Sequence, residues 1–323
     1  MVDHIYVGGG TPSIAYRYFP MLSSAIRESF AVKDGAEFSM ECNPESVTPE
    51  FINAAKDFGV NRVSVGVQSL SDPILRSIGR AHDRTRALDA LKALTENFPS
   101  VNADVMVGLP GQCMEDVAET IEMLLAYPIN HLSCYSLILE EGTPLYDAAE
   151  KGEFTPDDDF SVDMYDYVRD RLSQAGFTRY EISNFCKGEA VCEYNLSVWQ
   201  YGEYLGLGLG ASSFMREGGV PFGVRSTNTN DLAEYIASHG SIGSAREEIE
   251  KGEAMREFVM LGLRLEEGLD LSSFLEIFGV DFTQIYGENV KKIEKMLVIT
   301  DKHVAIAPEY FYISNDLIGE ILY

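Results

Sequence analysis

The sequence predicts an α/β protein in which βα units build a parallel sheet, followed by a smaller, mainly helical domain. Three observations predict it. Short β-type runs alternate with helical patterns through the first half of the chain. The runs are nearly apolar, as strands covered on both faces are. Gly-rich or polar segments stand at the carboxyl end of one run after another, the edge where such sheets and barrels carry ligands.

The β-type runs are residues 4–7, 37–41, 62–67, 102–107 and 131–139. Helical patterns lie near residues 14–30, 49–57, 72–78, 84–97 and 115–126. In the fourth of these, Ala87, Leu88, Leu91 and Leu94 recur at helical spacing. Strand–helix repetition of this length means βα units and a parallel sheet. Beyond Leu139, Glu140-Glu141-Gly142-Thr143-Pro144 reads as a turn, 160–175 as an amphipathic helix and 179–184 as a further strand. Residues 204–214 are Gly-rich and apolar. From about Met215 the βα rhythm is lost. Residues 254–263, 271–278 and 282–295 read as helices, and 297–300 with 303–307 as a hairpin around Asp301-Lys302. The predicted division is 1–215 and 216–323, the second part being winged-helix-like.

Composition excludes several classes. The 323 residues carry 25 Lys and Arg against 51 Asp and Glu, a net charge of −26. Binding a phosphate backbone needs clustered cations, so nucleic acid is not expected as a partner, despite the winged-helix shape. No stretch reaches the about 20 apolar residues of a membrane span, and no charged-then-apolar leader opens the sequence. The 5 cysteines (Cys42, Cys113, Cys134, Cys186, Cys192) are scattered and odd in number, which fits a reducing cytoplasm. Neither they nor the 5 histidines show metal-ligand spacing. There is no G-x-S-x-G nucleophile turn.

The strand-end groups are the site candidates. Gly8-Gly9-Gly10-Thr11-Pro12-Ser13 follows the first run. Its glycines let a ligand approach the backbone and leave N–H groups to hold it, or they only make a tight βα turn. It lacks G-x-G-x-x-G spacing and a following Gly-Lys-Ser/Thr, so it is neither a dinucleotide fingerprint nor a P-loop. Glu41 and Asn43 end the second run beside Pro44. A carboxylate there suits a ribose diol, or it caps a helix. Gln68 ends the third run. Asp104 stands inside an apolar run and needs a partner, because burying it unpaired costs several kcal/mol. Arg80 is one candidate partner and a ligand is another.

These motifs carry a resemblance. Gly8–Ser13, Glu41-Cys42-Asn43-Pro44, Gly66-Val67-Gln68-Ser69, Ile78-Gly79-Arg80-Ala81-His82, Asp104-Val105-Met106-Val107-Gly108-Leu109-Pro110, Tyr135-Ser136-Leu137 with Gly142-Thr143-Pro144, and Tyr180-Glu181-Ile182-Ser183-Asn184-Phe185 occur in one order. Together they resemble the oxygen-independent coproporphyrinogen III oxidase family of radical S-adenosylmethionine (SAM) proteins, over nearly the whole chain. Tyr180–Phe185 and Asn195-Leu196-Ser197-Val198-Trp199 bring it closer to that family's heme-chaperone-like branch.

The resemblance implies an incomplete (β/α)6 radical SAM partial barrel with SAM across its top. By position, Gly9, Gly10 and Thr11 would hold the methionine end, while Glu41, Gln68, Arg80 and Asp104 would contact the ribose, carboxylate and surroundings. Ile138 and Ser212 would line the cavity. It implies a role in porphyrin or heme metabolism with a small-molecule substrate, or, alternatively, a non-enzymatic heme-binding and heme-delivery protein. The chain departs from the family in two ways. Only 7 residues precede the Gly-rich turn, so the C-x-x-x-C-x-x-C motif that ligates a [4Fe–4S] cluster is not in this sequence. The first barrel strand is expected to be missing with it, leaving residues 4–7 a free edge open to self-association. A shortened chain, a misassigned start codon or a natural cluster-less relative would each account for this. The second departure is that the branch's His-Asn-x-x-Tyr-Trp reads Tyr194-Asn195-Leu196-Ser197-Val198-Trp199, and its later Gly-Ala-His-Ser reads Gly210-Ala211-Ser212-Ser213. If histidine ligates heme iron in that branch, both candidates are lost here. Tyr194 then either ligates ferric heme or packs as an aromatic.

Overall fold

In a computed structural model, which describes residues 1–216, 219–240 and 245–323, the five β-type runs become strands of one sheet. They are β1 (Val2–Val7), β2 (Val32–Cys42), β3 (Arg62–Gln68), β4 (Ser100–Val107) and β5 (His131–Ser136). They pair in parallel in chain order, with Tyr6 beside Ser39, Ser64 beside Asn102, and Asp104 beside Ser133. The chain divides into two compact units, Met1–Tyr194 and Asn195–Tyr323.

Helices connect the strands of the first unit: α1 (Phe19–Ser29), α2 (Pro49–Phe58), α3 (Asp72–Ser77), α4 (Arg84–Thr95) and α5 (Met114–Leu125), then α6 (Pro144–Glu150) and α7 (Asp158–Gln174). Their starts follow from capping chemistry. Thr48, Asp83, Thr143 and Asp157 each accept an N–H of the following first turn. The helix expected over 14–30 is two pieces, a 3-10 turn Pro12–Tyr18 and then α1. Pro20 explains the break, since a proline suits a first helical turn and cannot continue an earlier one.

The expected strand over 179–184 is also two, β6 (Thr178–Arg179) and β7 (Asn184–Cys186), antiparallel to each other. Tyr180 N–H donates to the Asn184 carbonyl at 3.1 Å, and the Glu181 carboxylate accepts the Ser183 N–H at 3.3 Å, which turns the chain inside the motif. β7 pairs antiparallel to β5, so the sheet runs β1-β2-β3-β4-β5-β7-β6 with β1 and β6 as open edges.

Between sheet and helices lies the core. Val63, Val65, Val67, Val101, Ala103, Val105, Val107 and Leu132 meet Phe51, Leu91, Leu94, Ile121, Leu124, Met164, Val168 and Leu172. At about 1.5–3 kcal/mol for each large side chain taken from water, this interface fixes which strand face turns to the helices.

The second unit opens with α8 (Glu193–Trp199), whose first two residues belong to the first unit. An antiparallel sheet follows, of β8 (Ser212–Met215), β9 (Val224–Thr227) and β10 (Ala245–Glu248), with a short α9 (Leu232–Ala237) between the last two. In the sequence, 204–214 reads as Gly-rich and apolar, and no element is expected between 215 and 253. The expected helices appear as α10 (Lys251–Gly262), α11 (Leu271–Phe278) and α12 (Phe282–Lys292), with a C-terminal α13 (Ser314–Leu322) added. Phe258, Phe274, Phe278, Phe282 and Tyr286 pack edge-on or tilted among them. The expected hairpin is β12 (Leu297–Ile299) with β13 (His303–Ile306), and β11 (Leu269–Asp270) adds a third strand. No described helix is long and apolar enough to cross a membrane.

Candidate ligand site at the strand ends

The inner face of the parallel sheet is largely polar, which corrects the expectation of strands apolar on both faces. The apolar core residues alternate with mostly polar ones, Gly66 and Met106 being exceptions. Register aligns the polar set in rows: Tyr6 with Ser39 and Arg62, Glu41 with Ser64, Asn102 and His131, and Gly66 with Asp104 and Ser133. Within 62–68 the alternation Arg-Val-Ser-Val-Gly-Val-Gln shows this already in sequence. One face packs on helices and the other lines a concave polar surface that rises to the carboxyl edge.

At that edge the β1 and β2 exits are tied together. Gly9 and Gly10 have φ of 82° and 60°, and a Cβ at either would meet nothing within 4 Å, so their backbone is open to a ligand. Gly9 N–H donates to Glu41 Oε2 at 3.1 Å, and the Tyr6 hydroxyl donates to Glu41 Oε1 at 2.8 Å. Asn43 Nδ2 donates to Thr11 Oγ1 at 2.9 Å. Arg80, carried by the loop after α3, donates from Nη2 to Asn43 Oδ1 at 2.7 Å and to the Gly66 carbonyl at 2.9 Å. Gln68 ends β3 with φ of 65°, and its amide turns back to lie 3.0 Å from where a Gly66 Cβ would stand. The structure therefore brings Gly9, Gly10, Thr11, Glu41, Gln68 and Arg80 to one edge, with Asn43 linking two of them, Thr11 and Arg80. Burial lowers the Arg80 pKa, and the carboxylates of Glu45 and Asp104 oppose that effect.

Asp104 has other partners than the sequence suggested. Ser64 Oγ donates to its Oδ2 at 2.9 Å and Asn102 Nδ2 to its Oδ1 at 2.7 Å, while Arg80 is turned to Asn43 and Gly66. Hydroxyl and amide groups were available one row away, so no cation was required. Burial raises the Asp104 pKa, and those hydrogen bonds work against the rise.

The chain of contacts continues inward. His131 is fully buried, and burial holds its pKa well below the ordinary value, so it is neutral. Its Nδ1 lies 2.7 Å from Asn102 Oδ1 and its Nε2 2.9 Å from the Tyr180 hydroxyl. Nδ1–H therefore donates to the amide oxygen, and Nε2 accepts from the phenol, which itself accepts the Cys192 N–H at 3.2 Å. Sequence reasoning missed Tyr6 as a partner of Glu41, and Ser64, Asn102, His131 and Tyr180 as parts of one network with Asp104. The period-two polar pattern was the signal that could have found them.

The remaining candidates stand on other elements. Ile138 stands 79% exposed in the loop after β5, on the first unit. Ser212 begins β8 in the second unit, its Oγ 3.2 Å from Thr227 Oγ1. Tyr194 stacks on Tyr6 with ring centroids 4.9 Å apart, which is the packed-aromatic alternative. A cavity of about 640 Å3 lies between α1 and the start of β2, bounded by Ile26, Phe30, Phe38 and Phe58. None of the strand-end residues lines it, so it is not the site described above.

Comparison with known proteins decides the family. Residues 1–124 match the radical SAM superfamily model and residues 249–308 the HemN C-terminal domain model. The chain is 31% identical over 324 residues to the heme chaperone HemW of Lactococcus lactis, covering 98% of this chain and 84% of that protein. The chain belongs to the HemN-like family of radical SAM proteins. Bacillus subtilis HemW is 30% identical over 330 residues, covering 98% and 85% of the two chains. The mitochondrial radical SAM domain-containing protein 1 of Mus musculus is 34% identical over 279 residues, 83% and 62%. In structure, Escherichia coli coproporphyrinogen III oxidase HemN aligns over 99% of this chain and 77% of its own, with TM-score 0.82 at 20% identity, a likeness of fold.

The radical SAM fold implies SAM and a [4Fe–4S] cluster in the HemN-like family. The cluster needs three converging thiolates. Here Cys42, Cys134, Cys186 and Cys192 are buried and Cys113 is exposed, and among the described residues no three His, Cys, Asp or Glu side chains are placed to hold a metal. Burial raises the Cys42 thiol pKa and pushes that of Cys134 up to about 12, so neither offers a thiolate. The residues of this HemN-like chain do not fit the cluster, and no radical step is derived from them. They do fit a nucleoside with an amino-acid tail: an uncovered glycine backbone at Gly9 and Gly10, with the Gly9 N–H already given to Glu41, a carboxylate for hydroxyls, and a guanidinium with two amides around it.

Proposed function

We propose that this protein handles heme, and that its strand-end edge binds a SAM-type ligand. The observation that carries the first half is that the curated bacterial relatives, 30–31% identical over almost all of this chain, are named heme chaperones. The oxidase, at 20%, shares the fold. Heme is then cargo, and coproporphyrinogen decarboxylation is not the assigned reaction.

For the second half, the edge itself is the support. Gly9 and Gly10 would hold the methionine carboxylate or amine through their backbone, Thr11 and Asn43 would hold polar atoms beside it, and Glu41 would accept from ribose hydroxyls. Arg80 and Gln68 would face the carboxylate side, and Asp104 would stand beside Gly66. Ile138 is a proposed apolar wall and Ser212 a proposed ligand contact. When bound with a cluster elsewhere in the family, SAM supplies a 5′-deoxyadenosyl radical. What this chain's residues do is bind and orient.

Two titrations test the two halves. Heme added to the purified protein and followed in the Soret region should give a saturable shift at micromolar heme; a spectrum that is only the sum of protein and free heme refutes heme handling. S-adenosylhomocysteine followed by calorimetry should bind, and Glu41→Gln should weaken it. Equal affinity for the variant would place the ligand elsewhere.

A further inference from the structure

Tyr6 belongs to none of the motifs that carry the family resemblance, yet it touches the centre of the site. Its hydroxyl donates to Glu41 Oε1 at 2.8 Å. Burial, and then the Glu41 carboxylate, raise its pKa far above the ordinary phenol value, so it is a permanent donor. Gly9 N–H takes the other oxygen at 3.1 Å. Two directional bonds on two oxygens fix both the place and the plane of the carboxylate. Each oxygen keeps a lone pair for a ligand.

The tyrosine is itself held from three sides. On β1 it is paired beside Ser39 of β2. A Cβ at Gly8 would stand 2.9 Å from Tyr6 Cε1 and 2.9 Å from Glu41 Oε1, so the first glycine of the triplet leaves the slot in which ring and carboxylate meet. The Tyr194 ring stacks on it at 4.9 Å with planes 27° apart. Tyr194 is fixed in turn by Glu37, whose carboxylate accepts the N–H of Glu193 at 3.1 Å and of Tyr194 at 3.4 Å at the start of α8. A carboxylate there also suits the positive end of the helix. Glu37 and Glu41 lie four residues apart on one strand, hence on one face.

We propose that Tyr6 is a positioning residue for Glu41, and that Tyr194 is the aromatic backing that holds it in place. This rests on the reading of Glu41 as a ligand contact.

The test is a double-mutant cycle read by calorimetric titration with S-adenosylhomocysteine. Tyr6→Phe keeps the ring and the stack and removes the hydroxyl, so it should weaken binding about 5- to 10-fold. In a Glu41→Gln background the same change should add less than 2-fold, because the group it positions is already altered. Tyr194→Phe should bind as the parent, and Tyr194→Leu should lose several-fold while its thermal transition stays cooperative. Parent-like binding by Tyr6→Phe, or its full loss repeated on Glu41→Gln, overturns the inference and leaves the strand-end site standing. If the parent protein does not bind the probe at all, the site reading falls and the inference falls with it.

Discussion

Gly66 offers the sharpest probe of the strand-end site. It lies on the inner face of β3, beside Asp104 of β4. A methyl group there would stand 3.0 Å from Gln68 Nε2, 3.1 Å from Arg80 Nη2 and 3.2 Å from Asn43 Oδ1. Its φ is not positive, so Gly66→Ala brings no backbone strain and acts through those contacts alone. All three neighbours are ends of side chains that can swing, which puts the folding cost at the low end of over-packing, about 1 kcal/mol. That is about 2–4 °C in Tm for a unit of this size. Swinging has a consequence for binding, because Arg80 then leaves Asn43 and the Gly66 carbonyl, which hold it at 2.7 and 2.9 Å. Hydrogen bonds to a charged group contribute about 1.5–3 kcal/mol, so ligand affinity should fall by about tenfold or more. Calorimetry with S-adenosylhomocysteine and a thermal melt read both quantities. A variant that melts and binds as the parent does would refute the convergence of Gln68, Arg80 and Asn43 on this position. A variant that loses many degrees would mean that the three side chains cannot move as argued.

Other expectations follow from the buried polar groups. Asn102 is 2% exposed and serves Ser64, Asp104, Ser133 and His131 within 2.7–2.9 Å. Asn102→Ala should cost about 3 kcal/mol or more in urea unfolding, since several buried partners lose a bond at about 1–3 kcal/mol each, and a loss under 1 kcal/mol would mean that water replaces it. Burial raises the Glu181 pKa to about 7 from 4.5, against the hydrogen bonds from Ser183 and Asn184 and the nearby Arg179. The folded state then holds the proton more tightly than the unfolded one, so Glu181 stabilises below pH 4.5 and loses that contribution as pH rises to 7, by about 3 kcal/mol. Glu181→Gln should flatten this slope relative to the parent in denaturation at pH 4.5 and 7; identical slopes would place the proton elsewhere. Purified as this chain and reconstituted with iron and sulfide under reduction, the protein should stay colourless and release no 5′-deoxyadenosine, whereas a broad absorbance near about 400 nm would show that its thiols do assemble a cluster.

Much of this was legible in residues. The five parallel strands, their helices, the C-terminal hairpin and the strand-end location of Gly9, Glu41 and Gln68 follow from periodicity, capping residues and the place of glycine and polar groups at run ends. What was misread has specific causes. Pro20 divided one helix into two pieces, and the Glu181 carboxylate bent one expected strand into a hairpin. Arg80 was offered as a partner of Asp104 because a carboxylate in an apolar run suggests a cation, whereas Ser64 and Asn102 on the same sheet face hold it and Arg80 turns to Asn43 and Gly66.

The sequence alone determined which faces could be buried and which residue types would collect at the carboxyl edge, because those depend on local spacing of two or 3.6 residues. Only the tertiary structure decided who bonds to whom. Strand register set Glu41 beside Ser64 and Asp104 beside Ser133, and chain return brought Tyr194 onto Tyr6 across 188 residues. Such pairings are fixed by packing between distant segments, and nothing in the spacing of one segment records the position of another.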